Sequence, residues 1–286
     1  MGTRGEGRTA LITGASSGIG LELTRRMLSE GWQVAALIRS SFPEGDALLQ
    51  ESLSRKQLHI YKADLTDFDS LRRALGQIKA AEEKLDLLFN NAGGSFPDLR
   101  FSKQGRELHF EVQTVAPYIL LMELRELLRR GTLKRVINTS TNAFATLKQF
   151  DPDTLERPTA FKKLFGPYAT TKLALSLWTR EVAPVVAADG IKLWSVDPGP
   201  NNTLRKGKDS GLPFYITPLM KLFFAHPSQG ASRLYDAAVA EHGEASGAYV
   251  TKGVAKKLGF EEQGRKVLEK VRAIYEREYV ASAKAA

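Results

Sequence analysis

The chain has 286 residues, of which 43% are hydrophobic, carries a formal net charge of +9 and contains no cysteine. That length and apolar content allow a large buried core. The missing cysteines exclude a disulfide framework, a thiol nucleophile and a cysteine-based zinc site. The basic residues are scattered, as at Arg129-Arg130, Lys162-Lys163 and Lys256-Lys257, without a dense stripe or interleaved aromatics, so no nucleic-acid partner is expected. His59, His109, His226 and His242 do not fall at metal-ligand spacing, and no metal is expected. Residues 1–8 hold no apolar run, and no later run is long enough to span a bilayer, so a cytoplasmic protein without an integral membrane segment is expected.

In chain order, Ala10-Leu11-Ile12 leads into Thr13-Gly14-Ala15-Ser16-Ser17-Gly18-Ile19-Gly20, and residues 21–28 have helix character. This reads as strand, glycine turn and helix. Gly14 permits the sharp turn, while Gly18 and Gly20 let a ligand and the sheet approach the backbone. The first helical turn then offers free N–H groups and a partial positive charge to a pyrophosphate. Residues 33–39 read as a second strand, 43–54 as a helix and 58–64 as a third strand. Asp67 is the expected N-cap of a helix over 68–82. Residues 85–89 form a fourth strand ending in Asn90-Asn91-Ala92-Gly93, followed by a long helical stretch over 104–130. A fifth strand over 135–140, a helix over 168–187, a sixth strand over 192–196 and a seventh over 247–250 complete the alternation. Residues 266–279 read as an amphipathic helix with Val267, Val271, Ile274 and Tyr275 on one face.

Strict alternation with continuously apolar strands predicts an α/β fold. The expected architecture is one Rossmann-fold domain over 1–286, a doubly wound parallel sheet of about seven strands with helices on both faces. Such a sheet binds ligands at the carboxyl ends of its strands. Those ends carry Gly14 to Gly20, Arg39, Asp64-Leu65, Asn91-Ala92-Gly93, Ser140-Thr141 and Pro198-Gly199.

Tyr168 and Lys172 are four apart on a predicted helix and so share a face. A free phenol, with a pKa near ~10, is a poor base at neutral pH. A nearby ammonium lowers that value, which would let Tyr168 serve as a general acid/base toward an alcohol or carbonyl oxygen; such i, i+4 pairs are common on surface helices, and the reading rests on the other motifs beside it. Arg39 closes the second strand, where an acidic residue would bind a ribose 2′-hydroxyl and an arginine accommodates a 2′-phosphate. Leu37 and Ile38 precede it, so NADP(H) is favoured over NAD(H).

The chain resembles the short-chain dehydrogenase/reductase superfamily. Four motifs carry the resemblance, in order: Thr-Gly-x-x-x-Gly-Ile-Gly at 13–20, Asn-Asn-Ala-Gly at 90–93, Tyr-x-x-x-Lys at 168–172 and Pro-Gly-x-x-x-Thr at 198–203. Phe150-Asp151-Pro152-Asp153-Thr154-Leu155 and Gly230-Ala231-Ser232-Arg233-Leu234-Tyr235 are similar to segments of the retinol-dehydrogenase-like branch. The resemblance implies that Gly14, Ser16, Ser17, Gly18, Ile19 and Gly20 hold the dinucleotide. It implies that Asp64 contacts the adenine, that Leu65 supplies backbone, and that Asn91, Ala92 and Gly93 line the adenosine ribose. Lys172 would hold the nicotinamide ribose, and Pro198, Gly199 and Thr203 would bracket the carboxamide. It also implies a homodimer or homotetramer.

Two positions depart from the family. Thr141 stands where the catalytic serine is usual, with Ser140 one residue early, and Gln113 stands where an asparagine serves the proton relay. Thr141 keeps a hydroxyl but adds a methyl that restricts χ1; Gln113 keeps the amide but adds a methylene. Residues 204–227, rich in aromatic and large apolar groups, are expected to form a substrate lid. The resulting expectation is an NADP(H)-dependent oxidoreductase acting on an alcohol or carbonyl of a lipophilic small molecule. The competing reading is a nucleotide-binding sensor or scaffold of the same fold with little or no turnover.

Overall fold

In a computed structural model, which describes residues 5–204, 212–213, 216, 224–240 and 243–281, seven parallel strands lie side by side. They are β1 (Thr9–Thr13), β2 (Gln33–Ile38), β3 (Leu58–Lys62), β4 (Leu87–Asn90), β5 (Arg135–Thr139), β6 (Lys192–Asp197) and β7 (Tyr249–Thr251). An eighth, β8 (Val254–Lys256), pairs antiparallel with β7. The spatial order is β3-β2-β1-β4-β5-β6-β7-β8, so the chain reverses direction across the sheet between β1 and β4. A ligand crevice belongs at that reversal.

Strand side chains alternate between two apolar cores. Leu11, Ala35 and Leu37 point to one face, and Ala10, Ile12, Val34, Ala36 and Ile38 to the other. Helices α1 (Gly18–Ser29) and α2 (Ala47–Ser54) contribute to the second core and α3 (Phe68–Ala81) to the first. Burial on both faces explains why β1 and β2 read as unbroken apolar runs.

Helix α2 starts four residues later than the periodicity suggests. Gly45 takes φ +77° and Asp46 then caps the helix, accepting from Leu49 N. Asp67 caps α3 as expected, accepting from Asp69 N and Ser70 N. The long helix expected over 104–130 is broken into α4 (Leu108–Phe110), a π turn (Glu111–Val115), α5 (Ala116–Glu123) and α6 (Arg125–Arg130). Pro117 has no N–H to return to the carbonyl of Gln113 four residues back, so the ladder widens there. Helix α7 (Pro167–Ala187) opens with proline at its first position, where the missing N–H costs nothing. Helix α8 (Pro227–Val239) follows. The chain then passes through β7 and β8, joined by Lys252 and Gly253, both at positive φ as a tight hairpin turn requires.

The last helix, α9 (Gly264–Ile274), buries Val267, Leu268, Val271 and Ile274 and runs on as a π turn (Tyr275–Val280). Tyr275 donates to Glu123 Oε1 (2.9 Å) and meets Tyr118 edge-on, while Arg106 donates to Glu278 Oε2 (2.5 Å). These contacts seat the C-terminal segment on the α5 side of the sheet. Residues 205–211, 214–215 and 217–223 lie outside the described residues, and most of the expected lid lies with them. The flanks of that segment are joined at a parallel bridge between Asn201 and Ala225.

Candidate functional site

Thr13, at the end of β1, ties two of the motifs together. Its hydroxyl accepts from Asn91 N and Ala92 N (both 2.9 Å), and its carbonyl accepts from Asn91 Nδ2 (3.0 Å). The side chain of Asn91 therefore braces the glycine turn. Gly14 and Gly18 have φ +68° and +55°, values that favour glycine. A Cβ on Gly20 would collide with the Gly14 carbonyl, so that glycine serves the packing of helix on strand. Gly18 faces Thr203 instead, whose Cγ2 would lie 3.4 Å from an added Cβ. The first turn of α1 has no acidic residue. The turn thus leads into an anion-compatible helix start free of acidic side chains, and its residues fit a dinucleotide pyrophosphate.

At the end of β5 the two candidate hydroxyls separate. Ser140 is buried, its Oγ shared with Ser176 Oγ at 2.8 Å. Thr141 is half-buried and accepts from Ala143 N (3.2 Å). Burial pushes the Tyr168 phenol above its ordinary pKa; the Thr141 side chain opposes that rise and the Asp197 carboxylate adds to it. Thr141 is therefore the hydroxyl that faces Tyr168. Lys172 is buried and donates to Thr139 O (2.5 Å), and burial lowers its pKa to about 7. The expected depression of the phenol by Lys172 is absent here. The ammonium is turned to the β5 carbonyl, and desolvation outweighs every other influence on Tyr168.

Gln113 lies in the π turn, fully buried. Its Nε2 donates to Gly94 O (3.1 Å), and its Oε1 is buried without a partner among the described residues. A Cβ on Gly93 would sit 3.1 Å from Gln113 Cγ, so the longer amide fills the space beside that glycine. Thr139 Oγ1 is also buried without a partner. With Asn90 Oδ1, three orphaned oxygens among the described residues lie around the β4 and β5 ends and leave hydrogen-bonding capacity that a bound polar group would use.

One feature of this neighbourhood is not legible in the motifs. His109 meets the Tyr168 ring edge-on, with centroids 6.1 Å apart. Its Nδ1 is 2.6 Å from Glu107 Oε1, and its Nε2 accepts from Phe96 N (2.9 Å). The Phe96 donor fixes Nε2 as the acceptor, so Nδ1 carries the proton toward Glu107. The sequence signal was a carboxylate and an imidazole two apart, Glu107 and His109.

The Pro198-Gly199 loop is held by residues outside its motif. Asn201 is buried; its Nδ2 donates to Pro198 O (3.0 Å) and Gly199 O (2.8 Å), and its Oδ1 accepts from Gly230 N (3.0 Å). Arg233 donates to Pro198 O (2.9 Å) and leaves no room for a Cβ on Gly199. The segment over 230–235 is thereby the backing of this loop. At the far end of the crevice Arg39 is exposed, and no carboxylate pairs with it among the described residues. Asp64 accepts from Thr66 N (2.9 Å) and Thr66 Oγ1 (2.7 Å) through one carboxylate oxygen, shaping the turn beside half-buried Leu65.

A family model described as short chain dehydrogenase matches residues 8–150. Retinol dehydrogenase 12 of Mus musculus is 31% identical over 238 residues, covering 82% of this chain and 74% of that protein. Polyprenol dehydrogenase of Danio rerio is 29% identical over 258 residues, covering 86% and 79%. Among solved structures, a blue fluorescent protein from a metagenomic library in complex with NADPH superposes with a TM-score of 0.65 at 22% identity, covering 86% of this chain and 96% of that one. L-sorbose reductase from Gluconobacter frateurii, complexed with NADPH and L-sorbose, gives 0.64 at 20% identity, covering 90% and 99%. At that identity these two establish the shared fold. Among the described residues no helix is long and apolar enough to cross a membrane.

Proposed function

Because the chain belongs to the short-chain dehydrogenase/reductase family, on its retinol-dehydrogenase-like branch, we propose that it reduces the carbonyl of a lipophilic small molecule with NADPH, or runs the reverse oxidation. Membership itself makes it an NAD(P)-dependent oxidoreductase working between alcohol and carbonyl. The reading is supported by one observation: a half-buried phenol, Tyr168, with a hydroxyl, Thr141, beside it at the carboxyl end of the sheet.

The nicotinamide supplies or accepts hydride when bound. Tyr168 gives its phenolic proton to the carbonyl oxygen in reduction and recovers it in oxidation. Burial raises the pKa of that phenol. Thr141 Oγ1 hydrogen-bonds the same substrate oxygen and orients it. Lys172 would hold the nicotinamide ribose and favour the phenolate whenever it carries its charge. Ser16, Ser17, Gly18 and Ile19 would hold the pyrophosphate, with Gly14 and Gly20 shaping the turn. Asp64 and Leu65 would hold the adenine, Asn91, Ala92 and Gly93 the adenosine ribose, Arg39 the 2′-phosphate, and Pro198, Gly199 and Thr203 the carboxamide. Ser140 and Gln113 act as supports, one for α7 and one for the Gly93-Gly94 turn. A lipophilic substrate accords with the apolar composition of 212–224 and with relatives named for retinol and polyprenol.

The test is NADPH oxidation against a panel of aldehydes and ketones, with Tyr168→Phe as the control. Turnover that drops by at least ~100-fold in the variant, with NADPH still bound, is expected. Binding of NADPH with no turnover of any carbonyl would support the sensor reading instead.

A further inference from the structure

A cavity of about 420 Å³ opens between the segment that follows β5 and the segment that precedes α7, lined by Thr146, Leu147, Lys148, Lys162 and Phe165. That volume is in the range of small-molecule sites. Its lining is close in sequence to the site already described: Thr146 is five residues beyond Thr141, and Phe165 is three residues before Tyr168. The backbone between Lys162 and Gly166 is shaped for it. Leu164 sits at φ +64°, an uncommon value for a leucine, and is held there by a hydrogen bond from its N–H to Ser95 Oγ (3.3 Å). Gly166 N closes the turn on Lys162 O (2.8 Å).

The chemistry of the lining is divided. Leu147 and Phe165 are half-buried apolar surface, whereas Lys148 and Lys162 are exposed ammonium groups. No carboxylate pairs with either lysine among the described residues. The acidic groups nearby in sequence are committed elsewhere: Asp153 to Lys266 (2.6 Å), Glu156 to Lys270 (3.0 Å), and Asp151 to the backbone N of Asp153 (2.9 Å). Lys162 Nζ instead lies 5.7 Å from the Phe165 ring centroid. Two uncompensated cations over an apolar floor attract a ligand with an apolar body and an anionic end.

We propose that this cavity binds the distal end of the substrate, and that the substrate is an aldehyde or ketone with an apolar chain ending in a carboxylate or phosphate ester. The carbonyl lies toward Tyr168 and the anion lies between Lys148 and Lys162. This rests on the oxidoreductase reading for its chemistry, but the anion subsite stands on the cavity itself and is testable by binding alone.

The binding probe is the fluorescent fatty acid cis-parinarate, compared with its methyl ester, on the full chain loaded with NADPH. The acid is expected to bind about 10-fold more tightly than the ester, the scale of one charge-assisted hydrogen bond. The double variant Lys148→Glu, Lys162→Glu is expected to erase that preference and leave the ester's affinity unchanged. Lys256→Glu with Lys257→Glu, a basic pair on and just beyond β8, should leave the preference intact. Equal affinities for acid and ester, a preference that survives the first double variant, or an equal loss in the second would each overturn the proposal.

A turnover arm separates this from the broader reading. A medium-chain aldehyde ending in a carboxylate should show a KM about 10-fold below that of its methyl ester at similar kcat. Discrimination in binding without turnover of either aldehyde removes the oxidoreductase reading and keeps the anion subsite. Turnover of both aldehydes at equal KM, with no discrimination in binding, does the reverse.

Discussion

The His109 ring stands edge-on against Tyr168 while its two nitrogens engage Glu107 and the Phe96 amide. Glu107 and Phe96 thus fix the orientation of the ring that packs against the phenol. His109→Asn keeps a donor where Nδ1 faces Glu107 and removes the acceptor for Phe96 N–H. Small losses of alignment at a reacting group are costly, so kcat is expected to fall about 10-fold with the NADPH dissociation constant unchanged. Unchanged kcat would reduce the contact to packing.

The second prediction separates the two adjacent hydroxyls. Ser140 Oγ is engaged with Ser176, whereas Thr141 faces Tyr168. Thr141→Val, which keeps the branched shape, should lower kcat by ~10- to 100-fold. Ser140→Ala should cost stability more than rate, because it leaves Ser176 Oγ with one partner fewer in a buried site. Steady-state kinetics and thermal melts on both variants check the ranking.

The third concerns pH. Lys172 falls from its ordinary 10.5 to about 7 in the folded chain because burial disfavours the ammonium. Between those values the unfolded chain holds a proton that the folded chain lacks, so stability rises with pH across that window. Below it both states are protonated, and the folded chain carries the full cost of a buried ammonium, at roughly 1.4 kcal/mol per pKa unit. Lys172→Met should therefore melt several degrees above wild type at acidic pH, with the gap closing toward the alkaline end of the window. Activity should be lost at every pH. A gap that stays constant with pH would show that the lysine is not buried as a charge.

The fourth concerns the dinucleotide. Arg39 lies exposed at the β2 end, and among the described residues no carboxylate pairs with it. A guanidinium–phosphate bond contributes roughly 1.5–3 kcal/mol, so NADPH should bind about 10- to 100-fold more tightly than NADH. Arg39→Ala should remove most of that difference and leave NADH nearly unaffected. Titration of both dinucleotides into both proteins measures it; equal losses would sink the NADP assignment.

Much of this site was legible because its parts are local. Gly14, Gly18 and Gly20 announce a turn whatever surrounds them, Asp67 announces a helix start, and Tyr168 with Lys172 share a face by helical spacing alone. The remainder depended on tertiary neighbours. Pro117 was visible inside the helix expected over 104–130, but periodicity alone does not show that its missing N–H widens the ladder at Gln113 into a π turn. The role of Asn201 was not legible because its partner, Gly230, belongs to α8. Lys172 pointed to a charge effect on Tyr168 that burial and the Thr139 carbonyl override. The β7–β8 hairpin escaped notice because Lys252-Gly253 is a weak turn signal between two three-residue strands.

The seating of α9 on α5 and α7 bears on how the chain reaches its fold. Arg72 bonds to Tyr279 O (2.5 Å) across 207 positions, and Arg106 to Glu278 across 172. Contacts of such span form late, because the entropy of closing the intervening loop is spent before they can form. Until residues 264–281 arrive, the apolar surface of α5 and α7 lies open to solvent and to other chains. Refolding from denaturant should accordingly show early sheet formation and a slower step that buries Tyr275 and Tyr279. A chain cut before Gly264 should form the sheet and then self-associate through the face that α9 leaves bare.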